Sequence, residues 1–283
     1  MPPNGATAEM SRRAAVLGSP IGHSLSPVMH LAAYAALGLD DWTYEARECT
    51  SDQLGSVVAE VREDASWAGL SLTMPLKLSV MDLVDEVDQL ARRAGSANTV
   101  IRRDDGSLWA TNTDIAGVTA SLDALELPAG IHGAVVLGGG GSARAALIAL
   151  EGRGIRDIRV VMREVSRGRQ LRDVVDASVS LVPWTQLKDE IASAALVLST
   201  VPSTSRVELD TWPRRAALLD LTYDPWPPPL VQAALASGAS CLGGLLMLAV
   251  QAAGQVALMT GLTIDFRVLQ AAGEAELARR SRA

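Results

Sequence analysis

Aromatic residues are scarce in this 283-residue chain: they make up 4% of it, with a single phenylalanine, Phe266. With so few rings, Ala, Leu and Val must build the core. Cysteine is scarce too. Cys49 and Cys241 are the only two; they cannot form a disulfide framework and read as reduced, buried thiols of a cytoplasmic protein. His23, His30 and His132 are the three histidines and show no ligand spacing, so no metal site is expected. Basic runs are missing: 32 acidic against 25 basic residues give a net charge of −7, which excludes nucleic acid as an expected partner.

An uninterrupted apolar run long enough for a membrane is missing as well. Residues 225–264 carry no charge, yet Gly238, Gly243, Gly244, Gly254 and Gly261 break the stretch and Gln232, Gln251 and Gln255 make it polar. A span needs about 20 mostly apolar residues, so a buried helix is expected and a membrane partner is not. Ser11-Arg12-Arg13 ahead of Ala14-Ala15-Val16-Leu17 has the outline of a twin-arginine signal, but Gly18-Ser19-Pro20 ends it before an apolar segment develops. The expected location is therefore cytoplasmic. What the chain does have is 48% hydrophobic residues and a mean hydropathy of +0.20, which exclude disorder and predict two domains or one large α/β unit.

After a loose tail (1–12), Ala14–Leu17 reads as a buried strand. Ser26 as N-cap, Pro27 at the first helical position and Gly38 at C′ frame a helix. Strands are expected at 44–49, 68–73 and 97–102, with 108–110 paired to the last across Asp104-Asp105-Gly106. Helices are expected at 53–62 and 76–87. From Asp114 onwards the pattern alternates: a helix at 115–125, then strands at 134–137, 158–162, 196–200 and 217–221 with helical segments between. That alternation predicts a parallel sheet with right-handed crossovers. Helices near 245–259 and from Asp265 onwards close the chain, and Asp224-Pro225-Trp226-Pro227-Pro228-Pro229 reads as a rigid loop.

Gly138-Gly139-Gly140-Gly141-Ser142-Ala143 lies between a strand and a helix, the setting of a dinucleotide fingerprint. Gly138 permits the tight turn, Gly140 lets a pyrophosphate approach the backbone, and Ala143 is small enough for close packing. The helix start adds free N–H groups and a positive dipole end. At the end of the next strand, Arg163 and Arg167 suit the 2′-phosphate of NADP, whereas Glu164 suits the free ribose of NAD; NADP is favoured and NAD remains possible. In the first half, Ser24, Ser26, Thr73, Lys77, Asn98, Asn112 and Asp114 each fall at a strand end or helix start. They read either as a polyol pocket with one amine and one carboxylate for proton transfer, or as caps, turns and a solvated lysine.

Gly18-Ser19-Pro20-Ile21-Gly22-His23-Ser24-Leu25-Ser26-Pro27, Leu72-Thr73-Met74-Pro75-Leu76-Lys77, Gly95-Ser96-Ala97-Asn98-Thr99, Asn112-Thr113-Asp114 and Gly244-Leu245-Leu246-Met247-Leu248-Ala249-Val250-Gln251, together with the glycine loop, resemble the shikimate dehydrogenase family, with helices and a 221–227 segment similar to its actinobacterial members. The resemblance implies a two-domain α/β protein, with a substrate domain at 13–114, completed by 252–283 as the last helix returns, and an NADP-binding Rossmann domain at 115–251. It implies reversible reduction of 3-dehydroshikimate to shikimate, with Lys77 as proton donor and acceptor at the C3 oxygen and Asp114 as its orienter or proton partner. It further implies that Ser24, Ser26, Thr73, Asn98, Gln251 and Tyr223 hold the substrate. Gly138 to Ala143, Arg163, Arg167 and Gly244 would hold the cofactor, in a monomer or homodimer. Ser71, Met162, Glu164 and Thr200-Val201-Pro202 depart from the family pattern and bear on cofactor preference more than on the reaction. A quinate or aminoshikimate enzyme, a catalytically silent cofactor-binding regulator and a folate-linked dehydrogenase are the competing readings.

Overall fold

A computed structural model describes residues 11–282 apart from 128, 203, 204, 206, 208, 210 and 224–226. Most of the expected loose tail and the Asp224-Pro225-Trp226 part of the rigid loop lie outside the described residues.

Strands β1 (Arg12–Gly18), β2 (Trp42–Glu48), β3 (Trp67–Leu72), β4 (Glu86–Val87), β5 (Thr99–Arg102) and β6 (Leu108–Thr111) form a mixed sheet in the order β2-β1-β3-β5-β6-β4. β1, β2 and β3 run parallel, and the β5–β6 hairpin adds antiparallel to β3. Helix α1 (Ser26–Ala36) follows β1, and α2 (Leu54–Glu63) buries Leu54, Val57, Val58 and Val61, a helical i, i+3, i+4, i+7 stripe.

The expected helix at 76–87 is corrected. One turn, α3 (Leu76–Ser79), gives way to a 3-10 turn, and Glu86–Val87 then pairs with β6. Asp85 draws the segment into the sheet by accepting from the Leu108 backbone N–H at 2.7 Å and the Arg62 guanidinium at 2.5 Å. Helix α4 (Gln89–Ala94) follows; the Asp88 side chain caps it and Gly95 ends it in the left-handed region at φ 60°.

Helix α5 (Asp114–Ala124) leads into the second sheet, built from β7 (Gly133–Leu137), β8 (Asp157–Met162), β9 (Ser178–Pro183), β10 (Leu196–Ser199), β11 (Ala217–Asp220) and β12 (Cys241–Gly243). Its order is β12-β11-β10-β7-β8-β9 and every described pairing is parallel, as the alternating pattern predicts. β9 and β12 are absent from the sequence expectation. β9 is a half-polar edge strand ending at Pro183, a residue edges tolerate, and β12 spans only three residues. Helices α6 (Gly141–Gly152), α7 (Leu187–Ser193) and α8 (Pro229–Ser237) are the crossovers.

Helices α9 (Leu245–Thr260) and α10 (Phe266–Arg280), the latter capped by Asp265, close the chain. Ala249, Ala252, Val256 and Leu269 from them share a core with Ala14 and Val16 of β1, Met29 of α1 and Tyr44 of β2. The chain therefore returns to the first sheet. No helix among the described residues is long and apolar enough to cross a membrane.

Candidate active site

The carboxyl ends of β1 and β3, the starts of α5 and α6, and one face of α9 meet in a cleft of about 130 Å³. Ser24, Ser26, Thr73, Lys77, Asp114, Tyr223 and Gln251 line it, so residues spread over most of the sequence share one cavity. Ser26 is not the N-cap expected of it. It is the first helical residue of α1, buried, with its backbone N–H donating to Ser24 Oγ at 3.2 Å. Ser24 thus takes the local bonding role, and Ser26 lines the cleft.

Lys77 Nζ donates to Asp114 Oδ2 at 2.5 Å, with side chains 11% and 3% exposed. Asp114 opens the 11-residue helix α5, whose positive end favours the carboxylate. Asn98 Nδ2 donates to the other oxygen, Asp114 Oδ1, at 2.7 Å and to Gln251 Oε1 at 3.1 Å. Asn98 therefore sits behind the cleft and holds two of its lining residues. The sequence carries only two lysines, Lys77 and Lys188, among 25 basic residues. Arginine serves as the cation almost everywhere else, but its guanidinium does not give up a proton, whereas an amine can. That scarcity marks Lys77 on composition alone.

A second hollow of about 290 Å³ lies alongside, bounded by Leu78, Gly140, Gly141 and Thr200, and it shares Thr73, Lys77 and Ser142 with the first. Gly138 adopts φ 100° there, and a Cβ on it would stand 2.6 Å from Thr200 Oγ1. Gly140 is the opposite case: a Cβ would meet nothing within 4 Å, leaving an open cradle at the start of the 12-residue α6, which has no side-chain cap. Uncapped N–H groups beside an open glycine fit a pyrophosphate, so the residues present suit a dinucleotide. Gly139 packs on Met162, Gly141 lies against the Lys77 stem, Ser142 Oγ is 3.4 Å from Lys77 Nζ, and Ala143 is fully buried.

Past β8, Arg163 is exposed with no partner among the described residues, while Arg167 Nε donates to Glu164 at 2.6 Å. The three charged side chains thus divide into one open guanidinium and one closed pair. Gly244 abuts the Leu221 backbone, where a Cβ would stand 2.1 Å from the carbonyl oxygen. Ser71 and Gln255 also line the first cleft, a placement the sequence signalled only through the i, i+4 spacing of Gln251 and Gln255. Among the described residues, no three His, Cys, Asp or Glu side chains converge to hold a metal ion.

Residues 16–100 match the family model for the shikimate dehydrogenase substrate binding domain. A shikimate dehydrogenase (NADP(+)) of Sphingopyxis alaskensis is 36% identical over 249 residues, 85% of this chain and 88% of that protein. The structure of shikimate 5-dehydrogenase from Thermus thermophilus in complex with NADP(H) and shikimate is similar with a TM-score of 0.79 at 32% identity, covering 93% of this chain and 99% of that one. Quinate dehydrogenase from Corynebacterium glutamicum in complex with NAD is similar with a TM-score of 0.82 at 26% identity, covering 94% and 99%. Likeness of fold thus extends to a neighbouring activity, but identity at this level over most of both sequences places the chain: it belongs to the shikimate dehydrogenase family.

Proposed function

We propose that this chain is an NADP-dependent shikimate dehydrogenase that reversibly reduces the C3 carbonyl of 3-dehydroshikimate to the hydroxyl of shikimate. The observation that carries the reading is the junction of the two hollows: Lys77 borders both the polyol-suited cleft and the glycine-lined one. The chemistry supplied by bound NADPH is a hydride delivered to the C3 carbon. Lys77 gives a proton to the C3 oxygen in the reductive direction and takes it back in the oxidative direction. Asp114 holds the Lys77 ammonium at 2.5 Å and fixes its aim. Ser24, Ser26, Thr73, Tyr223 and Gln251 meet the ring hydroxyls and carboxylate, and Asn98 keeps Gln251 and Asp114 in register.

Residues Gly138 to Ala143 and the first N–H groups of α6 would hold the pyrophosphate, and Gly244 would serve the nicotinamide end of the cofactor. Arg163 meets the 2′-phosphate, and Arg167 supports the same choice by occupying the Glu164 carboxylate that a free ribose would need. The substrate domain comprises residues 13–114 and takes back the chain at Leu245, because α9 is continuous through the division expected at 251–252. The Rossmann domain lies between. The cleft is built by one chain, so a monomer suffices for the chemistry, and free Cys49 and Cys241 suit the cytoplasm.

The test is purified protein with shikimate or quinate and NADP⁺ or NAD⁺, following reduced-nicotinamide absorbance. Shikimate with NADP⁺ gives the highest kcat/KM. A higher value on quinate would transfer the chain to the neighbouring activity.

A further inference from the structure

From the wall of the cleft inwards, polar side chains from five elements are joined where the core is otherwise apolar. Two backbone groups fix the direction of every bond among them. The Thr113 backbone N–H donates to Asn98 Oδ1 at 2.8 Å, so the amide nitrogen of Asn98 must face Asp114. The backbone carbonyl of Asn98 accepts from Gln255 Nε2 at 3.1 Å, so the oxygen of Gln255 must face the other way. Gln255 Nε2 also donates to Thr99 Oγ1 at 3.0 Å, which leaves the Thr99 hydroxyl to donate to Asn98 Oδ1 at 2.8 Å. At the far end, Gln255 Oε1 accepts from Ser71 Oγ at 2.9 Å, so Ser71 accepts from the Tyr44 hydroxyl at 2.6 Å.

The result is a line of donors, Tyr44 to Ser71 to Gln255 to Thr99 to Asn98, all aimed at the carboxylate of Asp114. Ser71, Asn98, Thr99 and Gln255 are each at most 3% exposed, and Tyr44 is 5% exposed. Burial pushes the Tyr44 phenol well above its ordinary value, so it remains a donor throughout the working pH range. Hydrogen bonds in series polarise one another when water is excluded, and the effect accumulates at the charged end. β2, β3, β5, α5 and α9 each contribute a member, so the chain also ties α9 to the first sheet.

We propose that Gln255 is a positioning residue for the reaction, the link through which Tyr44 and Ser71 fix the orientation of Asn98 and hence of the Asp114–Lys77 pair. The proposal rests on reading Lys77 and Asp114 as the proton-handling pair, and its test separates the two. Gln255 borders the cleft, so the rival role is direct contact with substrate, and the two roles move different constants. Substitution Gln255→Leu leaves a side chain of similar size and removes the link. Tyr44→Phe removes only the terminal donor, away from the cleft.

The expected outcome for Gln255→Leu is a fall in kcat of about tenfold with KM for shikimate within about threefold of wild type, and for Tyr44→Phe a fall in kcat of about threefold with KM unchanged. A second measurement needs no turnover. With two lysines in the sequence, ¹⁵N-lysine labelling gives two side-chain signals, and Lys77→Met assigns them. Exchange of the Lys77 ammonium protons with water accelerates about tenfold in Gln255→Leu at an unchanged melting temperature. Unaltered exchange, or a loss confined to KM, overturns the proposal. Accelerated exchange in a protein whose wild type leaves shikimate untouched would uphold the relay and sink the assigned reaction instead.

Discussion

The two sheets solve recognition in opposite ways. Around the first, Ser26, Ser71, Asn98, Thr99, Asn112, Asp114, Gln251 and Gln255 are buried polar side chains, most of them held by one another. Between residues 133 and 243 the described buried polar side chains are Arg144, Ser199 and Asp220, and the rest of the interior is apolar. The first half presents side chains; the second presents backbone, through an open glycine at a helix start. A polyol must be read group by group, and a buried polar site rejects analogues lacking a matching hydroxyl. A pyrophosphate is the same in every dinucleotide, so N–H groups and a dipole suffice. It follows that side-chain deletion cripples the first half, whereas in the second half side-chain addition does the damage.

The largest effect sits at Lys77. Lys77→Ala lowers kcat by roughly 10²–10⁴-fold, the usual range for general acid–base assistance. Lys77→Arg sharpens the point: it keeps the charge beside Asp114 but does not give up a proton, and turnover falls by a similar factor. Rapid turnover by the arginine variant would reduce the pair to an electrostatic anchor.

The glycine loop provides the converse test, through a pair of substitutions of identical chemistry. Gly140→Ala enters open space, so the melting temperature holds while KM for NADP⁺ rises about tenfold. Gly138→Ala meets Thr200 Oγ1 at 2.6 Å and a backbone at φ 100°, so it lowers the melting temperature as well. If both variants lose only stability, the loop is a tight turn and nothing more. A smaller effect belongs to the surface after β8. Arg163→Ala raises KM for NADP⁺ several-fold, about threefold to tenfold, and leaves NAD⁺ kinetics alone, because only the phosphorylated ribose needs the guanidinium. Equal losses with both cofactors would assign Arg163 to the fold.

How far these roles were legible in the sequence follows the same division. The glycine loop, its strand and its helix have a local signature, because one short segment builds the whole feature. Lys77, Asp114 and the serines were legible as strand-end polar groups, yet chemistry left Ser26 balanced between cap and ligand. Only the fold shows that Ser24 supplies the local bond and that Ser26, inside the helix, lines the cleft. Gln255 and Ser71 bond across 184 sequence positions, a pairing no periodicity contains. The missed strands fail for a different reason: β4 and β12 are too short to show a period, and at 76–87 an apolar run was overruled by the Asp85 bonds to Arg62 and Leu108.

The smallest effect follows from packing the first half with polar groups. His30 lies fully buried on α1, stacked on Tyr44 with ring centroids 3.8 Å apart. Its Nδ1 lies 2.9 Å from the Ser26 carbonyl, which fixes the proton there, and Nε2 has no partner. Protonating Nε2 would bury a cation with nothing to accept its hydrogen, so burial holds the imidazole down at about 4. In the unfolded chain it titrates near 6.5. Above that value both states are neutral and His30 contributes nothing to the pH dependence. As pH falls from 6.5 towards 4, the unfolded chain takes up a proton that the folded one refuses, and stability is lost. Urea unfolding at pH 7.5 and pH 5 should therefore differ by about 2 kcal/mol, a window chosen to lie above most carboxylate titration. His30→Gln removes most of that difference while it leaves the pH 7.5 value close to wild type or slightly below. A wild-type stability that stays level across this interval would put water at the ring, and the packed polar half would then be looser than the bonds behind the cleft require.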